Sequence, residues 1–132
     1  MSWQTSRIGV VGVDCVRAPD GSEIRPLVEV TRASMVHCRL PAGQVSQAVQ
    51  HRTVDEVWLC IGGSGQLWRR SIAPRAEIVE LQPGVAVSIP LGTGFQFRAG
   101  PDQALEVVIA TAPPWPGNDE AFPIDGIWTA SV

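Results

Sequence analysis

The apolar residues of this chain fall in short, β-branched runs, and a glycine or proline stands close to the end of most of them. Such runs suit strands. Leu27–Thr31, Met35–Leu40, Glu56–Ile61, Gln66–Ser71, Ile78–Leu81, Val85–Ile89, Phe95–Arg98 and Leu105–Thr111 are expected strands, with an earlier one over Arg7–Val16 kinked at Gly12. Asp20-Gly21, Pro41-Ala42-Gly43, Gly62-Gly63-Ser64-Gly65, Gln82-Pro83-Gly84 and Pro90-Leu91-Gly92-Thr93-Gly94 are turn signals between them. No segment carries a sustained helical stripe. Val45–Gln50 is half alternating, and Ser46–Val54 suits a short helix or a strand equally well. Strands at this spacing define an all-β sandwich or barrel.

A chain of 132 residues, 45% hydrophobic and 17% charged, fits one domain over 1–132 with one core. Its formal net charge of -3 gives no basic footprint for nucleic acid. All ten basic residues are arginine, and there is no lysine or tyrosine. Schiff-base chemistry, pyridoxal-phosphate anchoring and a phenolic acid are therefore excluded. The arginine, alanine, valine and glycine bias is that of a GC-rich bacterial genome.

Cys15, Cys38 and Cys60 are odd in number and lack CxxC spacing, which suits reduced, buried thiols. The first seven residues hold no apolar signal core, and no apolar run is long enough to cross a bilayer. A cytoplasmic protein with no membrane partner is expected. From Pro113 the character changes. Pro113-Pro114-Trp115-Pro116-Gly117 resists regular structure, yet Trp115, Phe122, Ile124, Ile127 and Trp128 are too apolar for a free tail. An irregular Pro/Trp-rich strap over about 113–132, packed back on the barrel, is expected, with Asp119-Glu120 solvated.

Two stretches carry a family resemblance. The first runs from Pro41-Ala42-Gly43 through His51 and Glu56 to Gly65, with the apolar strand Val57-Trp58-Leu59-Cys60-Ile61 ahead of its glycine-rich turn. The second is Pro83-Gly84-Val85-Ala86-Val87-Ser88-Ile89-Pro90-Leu91-Gly92-Thr93. In this order and at this spacing they resemble the two motifs of the cupin superfamily, over roughly residues 34–112. The resemblance implies a small single-domain cupin: a double-stranded β-helix, or jelly-roll barrel.

Metal-binding cupins draw two histidines and a glutamate from the first motif and a histidine from the second. Zn, Fe, Mn, Ni or Cu would suit such ligands. Counted back from Glu56, the histidine positions fall on Gln50 and Arg52, with His51 between them, and the second-motif position falls on Phe95. The motif is degenerate. His51 and Glu56 remain as candidate metal ligands, with Gln50 beside them and His37 a candidate third, so metal binding is expected to be weak or absent.

Strand alternation puts Glu56, Trp58 and Cys60 on one face, and the glutamate's family role turns that face inward. Phe95 and Phe97 share a face likewise. The expected site is an aromatic-walled pocket of Trp58, Phe95 and Phe97 with Gln50, Arg52, His51 and Glu56 as polar groups. Arg52 is a candidate partner for Glu56 or for an anionic ligand. The function expected is small-molecule binding. The alternative is an enzyme (isomerase, cyclase or lyase) in which His51 and Glu56 move a proton, or which uses a bound transition metal. A dioxygenase is disfavoured, because it needs a well-formed iron site. The resemblance also implies a homodimer.

Overall fold

The computed structural model describes residues 2–9, 15–71 and 75–132. Eleven strands are described: β1 Val16–Arg17, β2 Glu23–Val30, β3 Ala33–Leu40, β4 Val49–His51, β5 Asp55–Gly62, β6 Gly65–Arg70, β7 Ala76–Leu81, β8 Ala86–Ile89, β9 Gly94–Ala99, β10 Leu105–Ala112 and β11 Ala121–Pro123. A 3-10 turn, Asn118–Glu120, precedes β11. All strand pairs are antiparallel. One sheet runs β1-β2-β3-β10-β5-β8 and the other β11-β4-β9-β6-β7. Strands distant in sequence are neighbours in both, as in a jelly roll.

The core lies between the sheets and follows from strict alternation. On β5, Glu56, Trp58 and Cys60 are buried while Asp55, Val57, Leu59 and Ile61 are exposed. On β10, Leu105, Val107, Ile109 and Thr111 are buried. The two rows face inward together because Val107 pairs with Cys60, Ile109 with Trp58 and Thr111 with Glu56. Each row is apolar for most of its length and polar at the same end. That end becomes the site.

The early strand departs from expectation. Residues 7–9 carry no strand, residues 10–14 lie outside the described residues, and only Val16–Arg17 pairs, with Ile24 and Glu23. Val45–Gln50 is also shorter as a strand. Val45 makes an isolated bridge to Arg98, and β4 begins at Val49. Between them Ser46 bonds to Phe97 through backbone and hydroxyl alike, so regular pairing is interrupted.

Around Gly126, Ile127 and Trp128 the chain packs on the outer side of the second sheet, against Gln96. Gln96 sits between the inward Phe95 and Phe97 and points the other way, yet is 1% exposed. Its amide donates to Ser46 O and Trp128 O, and its oxygen accepts from Ile127 N and Trp128 N. Gly126 fits against it: a Cβ there would stand 2.2 Å from Gln96 Oε1. Among the described residues, no helix is long and apolar enough to cross a membrane.

Candidate functional site

A cavity of about 250 Å³ occupies the polar end of the barrel. Glu56 and Trp58 enter it from β5, Thr111 and Ile109 from β10, Val49 and His51 from β4, and Phe95 from β9. Val36 and Ile24 add aliphatic wall from β3 and β2. The segment after β1 contributes Asp20, and the residues after β10 contribute Trp115. Arg17 and Asn118, both exposed, line the solvent side.

Glu56 is 7% exposed and is held by two neutral donors. Trp58 Nε1 donates to Oε1 at 3.1 Å and Thr111 Oγ1 donates to Oε2 at 2.9 Å. Burial raises its pKa from 4.5 to about 7, against the lowering effect of those two bonds. The nearby carboxyls of Asp20 and Glu120 push it the same way as burial. No described ion pair involves Glu56. Carrying a charge in such a place is costly, and a carboxyl there holds its proton to near neutral pH.

His51 is 6% exposed. Its ring meets Phe95 edge-on at 5.2 Å and Trp115 at 5.4 Å, and Phe95 meets Trp58 at 5.5 Å. The cavity wall is thus a run of edge-to-face rings. Burial lowers the His51 pKa from 6.5 to about 4, with Glu120 opposing, so the imidazole is neutral near pH 7. Among the described residues, its Nδ1 is the buried side-chain nitrogen or oxygen that has no hydrogen-bond partner.

Asp20 is the polar group that the sequence disguised. Its Oδ1 accepts from Ser22 N at 2.9 Å and Ser22 Oγ at 2.6 Å, which makes the turn that Asp20-Gly21 signals. The same side chain lies on the cavity, where burial pushes its carboxyl above the ordinary range despite the Ser22 bonds. Thr111 was legible only as a strand end, and Trp115 only as part of the tail.

Glu120 corrects the expectation of a solvated acidic pair. Asp119 is exposed, but Glu120 is 4% exposed and closes the loop after His51. Its carboxylate accepts from Thr53 N at 2.6 Å, Val54 N at 3.1 Å and Thr53 Oγ1. Burial works against its charge, but these donors outweigh it and hold the carboxyl below its usual range. With Ala121 paired to His51 in register, the 3-10 turn and β11 fix the imidazole's strand in place.

Three expected pocket residues lie elsewhere. Gln50 alternates with the inward Val49 and His51 and so faces away from the cavity. Arg52 is exposed; its Nε donates to Asp119 O at 2.9 Å and its guanidinium sits 4.7 Å from the Phe122 ring centroid, so it does not reach Glu56. Phe97 is one inward position deeper than Phe95. It packs against Trp58 at 5.1 Å as core rather than as cavity wall. His51, Glu56, Trp58 and Phe95 do converge on one cavity.

The donors needed for a transition metal do not converge. No three His, Cys, Asp or Glu side chains are grouped to hold a metal ion among the described residues. His37, the candidate third ligand, alternates with the cavity-lining Val36 and so faces the other side of its sheet, where Nε2 meets Glu106 Oε1 at 3.0 Å. Phe95, at the position where the resemblance to metal-binding cupins implies a histidine, brings a hydrocarbon ring to the cavity. Both Glu56 oxygens are already engaged by protein donors. The three cysteines are free, and burial raises the thiol pKa of Cys38 and Cys60.

No family model and no curated protein sequence matches the chain. Solved structures do. The KdgF structure from Halomonas sp. superposes with a TM-score of 0.71 at 16% identity, covering 87% of this chain and 97% of that one. Oxalate decarboxylase from Bacillus subtilis gives 0.74 at 17% identity over 94% of this chain, which spans only 33% of that protein. The cupin domain of Schizosaccharomyces pombe Cnp3 gives 0.66 at 10% identity, covering 81% and 73% of the two chains. Together with the two sequence motifs and the two-sheet barrel, these superpositions show that the chain has the cupin fold.

Proposed function

We propose that this chain is a small-molecule-binding cupin whose ligand occupies the Glu56 cavity without depending on a transition metal. The observation that carries this reading is the cavity itself. It is apolar and aromatic over most of its wall, with a few convergent polar groups, the usual make-up of a small-molecule site. At about 250 Å³ it is slightly smaller than the ~300–1,000 Å³ usual for such sites, so the ligand is compact. Native mass spectrometry of the freshly purified protein, with metal analysis on the same sample, tests the reading. A bound organic mass that disappears in Trp115→Ala, with substoichiometric metal, supports it. One tightly held transition metal per chain lost in His51→Ala overturns it.

A second reading, an acid–base enzyme, is favoured by one observation. Glu56 sits near pKa 7, where a carboxyl can both give and take a proton at neutral pH. His51, neutral in the same cavity, would serve as the complementary base. Turnover of a captured ligand that is abolished in Glu56→Gln, while binding persists, would decide for the enzyme. The expected homodimer finds support in the exposed row Val57, Leu59 and Ile61 on the outer face of β5, an apolar stripe that a second copy would cover.

A further inference from the structure

The charge inside the cavity says more about the ligand than its shape does, given that the cavity is a small-molecule site. Among the described residues, the carboxyl side chains of Asp20, Glu29 and Glu56 line it. Of these, Glu56 is buried and Asp20 half-buried; neither takes part in a described ion pair. The donors they do have, Ser22, Trp58 and Thr111, are all neutral. Among the described residues, Arg17 is the guanidinium on the lining. It is exposed, and its Nη1 is spent on Gly21 O at 2.6 Å.

An anionic ligand would therefore enter a site where, among the described residues, no buried cation meets it. A polyol would set many hydroxyls against Val36, Val49, Ile24 and Ile109, which offer them no partner. A cation with an apolar body fits both halves. Its charge would complete Asp20 and Glu56, whose desolvated carboxyls lack a counter-charge. Its body would lie among Trp58, Phe95 and Trp115, rings whose faces attract cations. His51 adds an independent sign. It lines the same cavity and is neutral near pH 7, so it sets no positive charge against an arriving ammonium.

We propose that the cavity selects a compact organic amine, bound as its ammonium between Asp20 and Glu56 against the wall formed by Trp58, Phe95 and Trp115. This rests on the small-molecule reading above and narrows it to one ligand class. It also implies a proton count. The groups facing Glu56 are His51 from β4, Glu29 from β2, Cys38 from β3, Asp20 and Arg17 from the segment around β1, and Glu120 from the 3-10 turn. None is a buried cation, so an arriving ammonium is the group that would drive Glu56 to ionise, with release of its proton.

The test is isothermal titration of the whole protein with matched sets of single-ring compounds. Each ring carries in turn an aminomethyl, a hydroxymethyl and a carboxymethyl group. The amines are expected to bind at least about tenfold more tightly than their alcohols. They should release protons to the buffer, seen as heats that change with buffer ionisation enthalpy. Asp20→Asn and Glu56→Gln should each erase the preference and leave alcohol binding in place, with circular dichroism confirming the fold. If one variant fails to fold, the other and the proton release still decide. Carboxylates or alcohols binding as tightly as amines, with affinity lost in Trp115→Ala, would overturn the amine proposal and leave the binding reading intact. No binding from any of the three classes would overturn both.

Discussion

Thr111 and Glu56 are register partners across β10 and β5, and the threonine hydroxyl donates to Glu56 Oε2 at 2.9 Å. With Trp58 Nε1 on the other oxygen, a buried carboxyl is satisfied by neutral groups alone. Removing one of them is informative because the carboxyl stays. Thr111→Val is expected to cost about 1–3 kcal/mol at pH above about 8, where Glu56 is ionised, and clearly less near pH 5, where it is protonated. Urea unfolding at the two pH values checks this; an equal cost at both would show that Thr111 matters only for packing.

The pH dependence of stability follows from two opposed shifts. Glu56 titrates at about 7 in the fold against 4.5 unfolded, so the folded state binds the proton more tightly. The penalty is absent below about 4.5, grows as pH rises, and is complete above about 7, at about 3 kcal/mol before relaxation. His51 titrates at about 4 against 6.5, so its penalty is absent above 6.5, grows as pH falls, and is complete below about 4. Between 4.5 and 6.5 the two slopes have opposite sign and nearly cancel. Stability is therefore expected to be almost flat there. Glu56→Gln should expose a rise with pH of up to about 1.4 kcal/mol per unit, and His51→Gln a fall of similar size. Asp20, raised from 3.8, adds a slope of Glu56's sign, so Asp20→Asn makes the comparison cleaner. Urea midpoints across the window would refute this if both variants followed the parent profile.

Glu120 is expected to act at a distance through the loop it closes. Glu120→Gln weakens the acceptor for Thr53 N, Thr53 Oγ1 and Val54 N, and bonds to a charged group contribute about 1.5–3 kcal/mol each. A loss of roughly 2 kcal/mol is expected, with faster amide exchange at Thr53 and Val54 before the β5–β10 ladder responds. In the parent the carboxyl's stabilisation is present above its unfolded value near 4.5 and declines as pH falls below it. Unchanged exchange at those two amides would show that the loop holds itself.

Phe97 and Trp115 should separate packing from binding. Phe97, at 1% exposure, is core, so Phe97→Ala is expected to cost about 3–5 kcal/mol while the folded fraction still takes up ligand. Trp115 is half-buried on the cavity wall, so Trp115→Ala should cost less stability and lower ligand affinity at least about tenfold. Melting curves paired with titration on each variant provide the check, and the reverse pattern would move the site.

Much of the barrel was legible because β-sheet alternation is a local property. Glu56, Trp58 and Cys60 share a face wherever that strand lies, and the glycine and proline turns bound most strands within a residue or two. The same rule, applied one strand earlier, shows why Gln50 and Arg52 miss the cavity: with His51 inward, its sequence neighbours turn away. The spacing from Glu56 did not settle which of the three pointed inward. Asp20 and Glu120 were hidden for another reason. Each has an ordinary local reading, a turn residue and one of a solvated acidic pair, and becomes a site group or a clamp only through the tertiary fold, in Glu120's case through contacts 66 and 67 residues away.

By itself, the sequence determined a two-faced β chain with one inward row carrying a glutamate and a tryptophan, because period-two alternation needs no knowledge of neighbours. The resemblance to metal-binding cupins, and not the residues alone, put Phe95 at the position of their second-motif histidine. Only the tertiary structure decided what surrounds that glutamate. Strand register put Thr111 on one of its oxygens, the turn at Asp20 brought a second carboxyl to the cavity, and the residues after β10 walled it with Trp115. Burial then took water away from groups that in solution would be an ordinary acid and an ordinary base. That moved Glu56 and His51 past one another in pKa, to about 7 and about 4.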